Sequence, residues 1–405
     1  MWPVGRSVRS HIEFLLRFAL QLPREKPEVA PPIGTPLPGG ESTVPPAPPV
    51  TQEDVSTLAS WLRRMKQRSP GGVVCITGAG LSTESGIPDY RSPNGAYSSG
   101  FKPMTHQDFM RTGVEGMSNR KKYWIRSFAG WSSFSGMEPN SGHVALAELQ
   151  QAGYIREIIT QNVDRLHHKA GSVADRVLEL HGTTHQVRCM DCETVYPRED
   201  VQRLIVRMNG GALNEDGTIG LGNLGIAATL GVTETNGKGT EQGARGERRT
   251  ASSKGGDGGK EQGGGAFGAR QGKRDGEGMR PRQNPDGDVE IRNTDAVEFK
   301  TPVCMACRGG LLKPDVVFFG DSLPKERTEE SLTIAKRAAG ILVVGSSLQV
   351  MSAYRLVQQA KEFAGAEVFI VTIGETRADP LADYKVDKLA GELLPQVVSA
   401  LHVEP

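Results

Sequence analysis

The chain has 405 residues, and its 48 lysines and arginines nearly balance its 47 acidic residues, for a formal net charge of +1. This balance excludes a strong overall field towards nucleic acid or an anionic membrane, and no apolar run reaches the ~20 residues that a membrane span requires. Hydrophobic residues make up only 37% of the chain, while Gly counts 50 and Pro 25. These numbers predict disordered segments within an otherwise globular protein.

The first 50 residues are expected to form a transit peptide and a proline-rich linker. Residues 1–24 hold four arginines, one acidic residue and interspersed apolar residues, which is typical of an organelle transit peptide. An ordinary disordered terminus is the alternative, and a mitochondrial address is favoured over a chloroplast address. Nine prolines follow in residues 27–49, and because proline fixes φ and lacks an N–H donor, this stretch is expected to be extended.

Folded sequence is expected from residue 51 to residue 405. Thr51 and Asp54 have the spacing of a capping box, and apolar residues then recur at helical spacing as far as Met65. Short apolar runs, each consistent with a strand buried on both faces, follow at 73–77, 155–160, 341–345 and 368–373. Helical patterns such as 144–149 and 353–363 separate these runs. The alternation predicts an α/β fold with a doubly wound, Rossmann-like parallel sheet.

One glycine-rich segment interrupts this alternation. Residues 231–280 hold 16 glycines and only three large apolar residues. Such a segment cannot bury enough surface to offset the entropy lost on ordering, so we predict a disordered insertion at approximately residues 208–285. Its ten basic and seven acidic residues give little support to the alternative of a nucleic-acid-binding arm, and nucleic acid is not an expected partner.

Glycine and polar residues follow three of the predicted strands. Gly78 and Gly80 come after the first strand, where glycines let a backbone approach a pyrophosphate, although Thr83 replaces the third glycine of the dinucleotide fingerprint. A plain turn between strand and helix is therefore an alternative. The Gln161 to Asp164 segment follows another strand, and its side chains can bind ribose hydroxyls or an amide. The alternative for Asp164 is that it only caps the following helix. The Gly345-Ser-Ser turn suits a phosphate or a ribose.

His181 ends a further predicted strand, in the segment Glu179 to Gly182. A histidine at this place is a plausible general base, because its unperturbed pKa lies near neutrality. A histidine with only a structural role is the alternative. Later in the chain, the β-prone run Val316 to Phe319 predicts either a core strand or an edge that pairs with an extended peptide.

Four of the five cysteines form two Cys-x-x-Cys pairs, Cys189 with Cys192 and Cys304 with Cys307. In a chain of this length, such pairs indicate metal binding before disulfides. Four thiolates match the tetrahedral coordination of Zn²⁺ and leave no open position, so one structural zinc is predicted. The pairs lie unusually far apart, and the predicted insertion explains much of that distance. A zinc module is expected at approximately residues 185–310.

The combination and order of these motifs resembles the sirtuin family. The resemblance rests on the Gly-Ala-Gly-x-Ser-x-x-Ser-Gly-Ile-Pro-Asp-Tyr-Arg segment from Gly78, Gln-Asn-Val-Asp, His-Gly, both cysteine pairs, Lys-Pro-Asp-Val-Val-Phe-Phe-Gly and Gly-Ser-Ser-Leu. It covers the chain from Thr51 onwards, apart from the insertion. The Arg-Ser-Pro-Asn-Gly-Ala-Tyr segment from Arg91 and the Asp-Gly-Asp segment from Asp286 are similar to the class II branch.

The resemblance implies NAD-dependent removal of an acyl group from protein lysine, with release of nicotinamide and O-acyl-ADP-ribose. Acyl-lysine proteins are then the expected partners, and the mitochondrial matrix is the expected location, with chloroplast or nucleus as alternatives. Mono-ADP-ribosylation of proteins and removal of lipoyl-type groups are alternative activities. A catalytically inactive NAD-binding scaffold is the alternative of another class, and the oligomeric state is left open.

The resemblance also assigns roles to single residues. It makes His181 the general base and Asn162 a second catalytic residue, and it lays Val316 and Phe318 along the substrate peptide. The residues expected to contact NAD fall into four segments: Gly78, Ala79, Gly80, Ser82, Thr83, Gly86, Ile87, Asp89, Tyr90 and Arg91; Gln161, Asn162, Val163 and Asp164; Gly345, Ser346 and Ser347; Thr372, Ile373, Gly374 and Ala390.

Two positions depart from the family pattern. Thr372 stands where sirtuins usually carry Asn, so the chain keeps a hydroxyl there and loses an amide that would contact the adenosine. Desuccinylating sirtuins read an acidic acyl group with an Arg close behind a Tyr. After Tyr97 this chain has Ser98-Ser99-Gly100 instead, so no strong preference for succinyl groups is expected.

Overall fold

The computed structural model describes residues 47–68, 71–93, 95–210, 212–213, 219–220, 283–291, 294 and 298–402. The predicted transit peptide, most of the proline-rich linker and the glycine-rich segment 231–280 lie outside these residues. In the described part of the chain, no helix is both long and apolar enough to cross a membrane.

Helices alternate with strands along the described chain. The helices are α1 (Gln52–Gln67), α2 (His106–Met110), α3 (Gly113–Ser135), α4 (Ser141–Gln151), α5 (Leu166–Lys169), α6 (Arg198–Met208), α7 (Lys325–Lys336), α8 (Met351–Ala364) and α9 (Ala390–His402). The strands are β1 (Val73–Thr77), β2 (Ile155–Thr160), β3 (Val177–Glu179), β4 (Gly182–Cys189), β5 (Val195–Pro197), β6 (Ala212–Leu213), β7 (Ile219–Gly220), β8 (Leu312–Val316), β9 (Gly340–Val344), β10 (Glu367–Val371) and β11 (Tyr384–Val386).

Six strands form a parallel sheet in the order β11-β10-β9-β1-β2-β3. Every residue of β1 and β9 is buried, because α1, α4 and α9 pack on one face and α7 and α8 on the other. The predicted doubly wound α/β fold is therefore confirmed. The chain moves outwards from β1 on one side and later returns to β9 on the other, which places the topological switch point between β1 and β9.

The capping box predicted at the start of α1 is present. Thr51 Oγ1 accepts a hydrogen bond from Asp54 N at 3.2 Å, and the Asp54 carboxylate accepts one from Thr51 N at 2.8 Å. The reciprocal bonds satisfy N–H groups that the first turn of a helix otherwise leaves without partners. They explain why α1 begins where the sequence predicts.

A smaller unit stands beside the parallel sheet. Strands β5, β4 and β8 form an antiparallel sheet, which shares a second apolar core with α3 and α6. Inside this core the buried Arg198 guanidinium lies over the rings of Trp124 and Trp131, and it donates to Ser127 O at 3.0 Å. The guanidinium also donates to Gln202 Oε1, so the cation is partnered by ring faces and two neutral oxygens rather than by a carboxylate.

The strand near Val316 differs from the prediction. The sequence predicts a β run over Val316 to Phe319, whereas β8 covers Leu312–Val316 and includes Pro314. Residues 317–319 leave the sheet: Val317 N donates to His181 O at 2.9 Å, and Phe319 forms an isolated bridge with Thr105. Of the β-prone residues, Val316 therefore still pairs with β4 at Gly182, whereas Val317 and Phe319 contact the loops that carry His181 and Thr105.

Two histidines are buried beneath the β1 turn. His143 of α4 and His167 of α5 stack edge to face with ring centroids 5.2 Å apart, and His167 Nε2 lies 2.9 Å from Thr77 Oγ1. Both are almost fully buried. Burial lowers the pKa of His143 to about 4 and holds the pKa of His167 well below its usual value. Both rings are therefore neutral at pH 7.

This burial predicts a loss of stability on acidification. Below about pH 6.5 the unfolded chain binds protons at these histidines while the folded chain does not, so the free energy of unfolding falls as the pH drops towards 4. For His143 alone the difference reaches about 3 kcal/mol. Urea unfolding at pH 7 and pH 5 gives the free energy of unfolding of His143→Leu and of the unchanged protein. The difference between the two pH values is expected to be smaller in the variant. An equal difference in both proteins would contradict a neutral, buried His143.

Candidate active site

The carboxyl ends of the central strands open into one cleft of about 1150 Å³. The turns after β1, β2, β9 and β10 line this cleft, and so do residues 316–321, which start at the last residue of β8. In an open parallel sheet the strand ends beside the switch point diverge and leave a crevice there. The fold thus places the glycine and polar residues that follow these strands around one cleft.

Two glycine turns meet at the floor of this cleft. Gly78 N donates to Val344 O at 3.2 Å, and Gly80 N donates to Gly345 O at 2.8 Å. A Cβ on Gly80 would lie 2.8 Å from Gly345 O, and Gly345 itself has φ +61° with only 2.3 Å between its Cβ position and Leu81 N. No larger residue fits at this crossing without moving the backbone, so the glycines allow the two turns to touch.

Most residues that the resemblance assigns to NAD lie on the cleft wall. The lining includes Gly78, Ala79, Gly80, Thr83, Gly86, Asp89, Tyr90, Arg91, Gln161, Asn162, Val163, Gly345, Ser346, Ser347, Thr372, Ile373, Gly374 and Ala390. Three assigned residues, Ser82, Ile87 and Asp164, are buried behind this wall. Val316 and Phe318, assigned to the substrate peptide, line the cleft as well.

A buried hydrogen-bond network joins the turns after β1 and β2. Asn162 Nδ2 donates to Ser82 Oγ at 3.0 Å and to Gly78 O at 3.2 Å, and Ser82 Oγ donates to Asp164 Oδ2 at 2.7 Å. Asp164 Oδ1 also accepts from Leu166 N, the first residue of α5, at 2.9 Å, although the N-cap residue of that helix is Arg165. Burial raises the pKa of Asp164, and the network orients Asn162 at the cleft.

His181 lies between β3 and β4 and lines the cleft. Its Nδ1 is 3.1 Å from Gln161 O and its Nε2 is 3.0 Å from Ser352 Oγ. A carbonyl oxygen only accepts hydrogen bonds, so Nδ1 carries the hydrogen of the neutral ring and Nε2 carries the lone pair. Burial lowers the pKa of His181 to about 4, and the Arg327 charge acts in the same direction. The ring is therefore neutral at pH 7, as a general base must be.

The motif-based prediction missed several residues that line the cleft. Gln283 lies within the last residues of the predicted insertion and Asp286 just after it, yet both line the cleft, while Lys388 and Ser352 reach it from near β11 and from α8. In the sequence, Asp286 is only part of the segment that is similar to the class II branch. None of these residues follows a predicted strand within a polar motif, so position in the sequence contained no sign that they share this space.

The two cysteine pairs meet at the end of β4. All four Sγ atoms lie within 4.8 Å of one another, with Cys189 to Cys307 at 3.8 Å and Cys192 to Cys304 at 3.6 Å. A tetrahedral Zn²⁺ with bonds of about 2.3 Å sets its thiolates about 3.8 Å apart. A Cβ on Gly310 would lie 2.4 Å from Cys189 Sγ, so only glycine lets that loop close on the cluster. The donor set fits the predicted structural zinc.

Comparisons with known proteins agree with this geometry. The Sir2 family profile matches residues 78–219 and 283–352. NAD-dependent protein deacylase SRT2 of Arabidopsis thaliana is 42% identical over 88% of this chain and 79% of its own length. NAD-dependent protein lipoamidase sirtuin-4, mitochondrial, of Bos taurus is 35% identical over 87% of this chain and 89% of its own.

A solved structure shares the fold. It contains a Sir2 variant with a deacetylated p53 peptide and 3′-O-acetyl-ADP-ribose, and it aligns with a TM-score of 0.52 at 26% identity. The alignment covers 85% of this chain and 98% of the solved one. The relationship therefore extends over both the parallel sheet and the cysteine-bearing unit.

Proposed function

This chain belongs to the Sir2 family, and from that premise we propose that it is an NAD-dependent protein-lysine deacylase of the class II type. One observation carries the proposal within this structure: His181, neutral and fixed at both ring nitrogens, stands in the cleft where the turns after β1, β2 and β9 converge. A base at that point can act on a substrate held by those turns.

The residues present fit a dinucleotide. The cleft volume lies slightly above the roughly 300–1000 Å³ that small ligands occupy, and the two touching glycine turns expose backbone to a pyrophosphate. We assign the phosphates and the nicotinamide ribose to Ala79, Gly80 and Arg91. We assign the adenosine side of the nucleotide to Ser346 and its neighbours. NAD, when bound, supplies an electrophilic ribose carbon and nicotinamide as the leaving group.

The buried polar network orients the groups around that carbon. Asn162 is fixed at the cleft by its bonds to Ser82 Oγ and Gly78 O, and Asp164 is buried behind it, bonded to the same Ser82 hydroxyl. We assign the ribose to Asn162 and the nicotinamide carboxamide to Asp164. His181 Nε2 then accepts the proton of a ribose hydroxyl once nicotinamide has left. General base catalysis of this kind contributes about 10²–10⁴-fold to a rate.

Residues 316–319 are proposed to bind the substrate peptide. They line the cleft, Val316 ends strand β8, Phe319 forms a bridge with Thr105, and Val317 N already bonds to His181 O. An extended acyl-lysine peptide lying beside them would bring its lysine towards the base. We place the zinc unit, approximately residues 185–310, opposite the parallel sheet as the support of this wall, and four thiolates there exclude an open catalytic position on the metal.

Location and acyl preference follow the relatives. The bovine relative is named as mitochondrial and as a lipoamidase, which agrees with the arginine-rich start of this chain. We therefore propose the mitochondrial matrix as its location, and lipoyl-type groups as acyl substrates beside acetyl. Desuccinylating sirtuins carry an Arg close behind a Tyr, whereas Ser98, Ser99 and Gly100 follow Tyr97 here and end its turn. Acidic acyl groups are therefore expected to be poor substrates.

Mass spectrometry of the purified protein with NAD tests this function. Peptides with acetyl-, lipoyl-, succinyl- and glutaryl-lysine serve as substrates, and O-acyl-ADP-ribose is the expected product from acetyl or lipoyl peptides. Modified protein without free lysine would indicate mono-ADP-ribosylation instead. Absence of every product, with NAD binding confirmed by calorimetry, would contradict an active enzyme and favour the scaffold alternative.

A further inference from the structure

Ser352 stands at the start of α8 with a hydroxyl that the helix does not use. The N-cap of α8 is Val350, and no side chain caps that end. Ser352 Oγ instead lies 3.0 Å from His181 Nε2, across 171 residues of sequence. Both residues line the same cleft. The hydroxyl therefore contacts the nitrogen that must receive the proton in the proposed reaction.

The two partners of the His181 ring differ in kind. Gln161 O holds Nδ1 and can only accept, whichever protonation state the ring has. A serine hydroxyl both donates and accepts. It can donate to the lone pair of the neutral ring and, after rotation, accept from Nε2–H of the charged ring. Ser352 is thus suited to follow a change of charge without leaving a buried nitrogen unpaired.

Burial opposes the charged form of His181 most strongly, and the positive charge of Arg327 in α7 acts in the same direction. The N-terminus of α8, which carries Ser352, adds the positive end of a helix dipole. The hydrogen bond to Gln161 O acts the other way and favours the charged ring. A hydrogen bond from the imidazolium to Ser352 Oγ is charge-assisted and hence about twice as strong as its neutral counterpart.

We propose that Ser352 is a positioning residue for the general base, holding the His181 ring at Nε2 and accepting a hydrogen bond from the ring after proton transfer. Because Nε2 has a single lone pair, the Ser352 hydroxyl hydrogen turns away from it before the ribose hydroxyl donates there. The ribose O–H bond then breaks, its electron pair stays on the ribose oxygen, and a His181 Nε2–H bond forms. Ser352 keeps its own proton, and its oxygen accepts from the new N–H. This inference rests on the proposed function, because it concerns the same base and the same proton.

Ser352→Ala is expected to lower kcat for deacylation about 10–100-fold, the loss that follows removal of a hydrogen bond to a charged group. KM for NAD should change little, since the hydroxyl does not hold the nucleotide. Exchange of labelled nicotinamide into NAD should persist, because nicotinamide leaves before the base acts. Ser352→Thr should restore most of the rate, and Ser56→Ala on the exposed face of α1 is the matched control.

Nitrogen-15 NMR of the His181 ring reads the contact without any reaction. Ser352→Ala is expected to shift the Nε2 resonance at pH 7 and to lower the pKa of His181, whereas Ser352→Thr is expected to leave both close to their original values. If the unchanged protein fails to deacylate, the proposed function fails while this spectrum still reports on Ser352. If the Ala variant does not fold, the Nε2 resonances of the unchanged protein and of the Thr variant still show whether a hydroxyl at position 352 bonds to His181.

Three results would overturn the inference. One is an unchanged kcat in Ser352→Ala. Another is equal loss of deacylation and nicotinamide exchange together with a lower melting temperature, which would indicate a structural role alone. The third is an Nε2 resonance typical of a nitrogen without a hydrogen-bond donor in the unchanged protein.

Discussion

His181→Ala is expected to lower the rate of deacylation about 10²–10⁴-fold, the usual contribution of a general base. Binding of NAD should remain largely intact, because the glycine turns and the Asn162 network do not depend on the imidazole. Steady-state assays give the rate, and calorimetric titration gives the affinity for NAD. The expected pattern is therefore a loss in kcat with a nearly unchanged dissociation constant.

A histidine outside the cleft provides the control. His168 of α5 is half-buried and does not line the cleft, so His168→Ala should keep most of the rate. Deacylation by His181→Ala at the rate of the unchanged protein would remove His181 from its proposed role. Loss of NAD binding in the same variant would show instead that the ring supports the nucleotide site.

Removal of the zinc is expected to unfold the smaller unit. Structural zinc in small domains stabilises the fold by about 10–16 kcal/mol, since the site rarely exists in the unfolded chain. Here Cys189 ends β4, and Cys304 N bonds to Gly310 O beside the cluster. Cys304→Ser should therefore abolish bound zinc, lower the melting temperature strongly and expose β4 and α6 to hydrogen exchange.

Atomic absorption and hydrogen exchange measure these effects. Cys75→Ala is the matched control, because Cys75 lies buried in β1 far along the chain from the cluster and outside it. This variant should keep one zinc per chain. An unchanged melting temperature after confirmed loss of the metal would contradict a structural role for the zinc.

Local chemistry made parts of this protein readable from its sequence. The capping box needs only Thr51 and Asp54 three positions apart, and the Cys-x-x-Cys pairs need only thiols at a spacing that one metal can bridge. Buried parallel strands appear as apolar runs because both faces are covered, so β1, which is buried throughout, begins and ends where its run does. The bounds of β2 also match the prediction, although Arg156 within it is exposed. Strand β10 begins and ends before its run, since Thr372 and Ile373 already belong to the cleft turn.

Sequence order also sufficed to indicate the family, because the motifs follow one another in a pattern that single motifs lack. Gly78 and Gly80 taken alone predict only a turn. The fold shows why position 80 requires glycine, because a Cβ at Gly80 would collide with Gly345 O. That contact joins segments more than 250 residues apart by their numbers, and no local propensity contains it.

The tertiary structure decided which groups contact His181. Ser352 is an ordinary helix residue by sequence, yet it lies 3.0 Å from His181 Nε2. Gln283 and Asp286 reach the cleft only because their loop packs against it. Residue type and spacing indicate interactions between residues that are close in the sequence. The pKa of His181 instead depends on its burial and on the charge of Arg327. Both result from the whole fold, so no local sequence pattern predicts them.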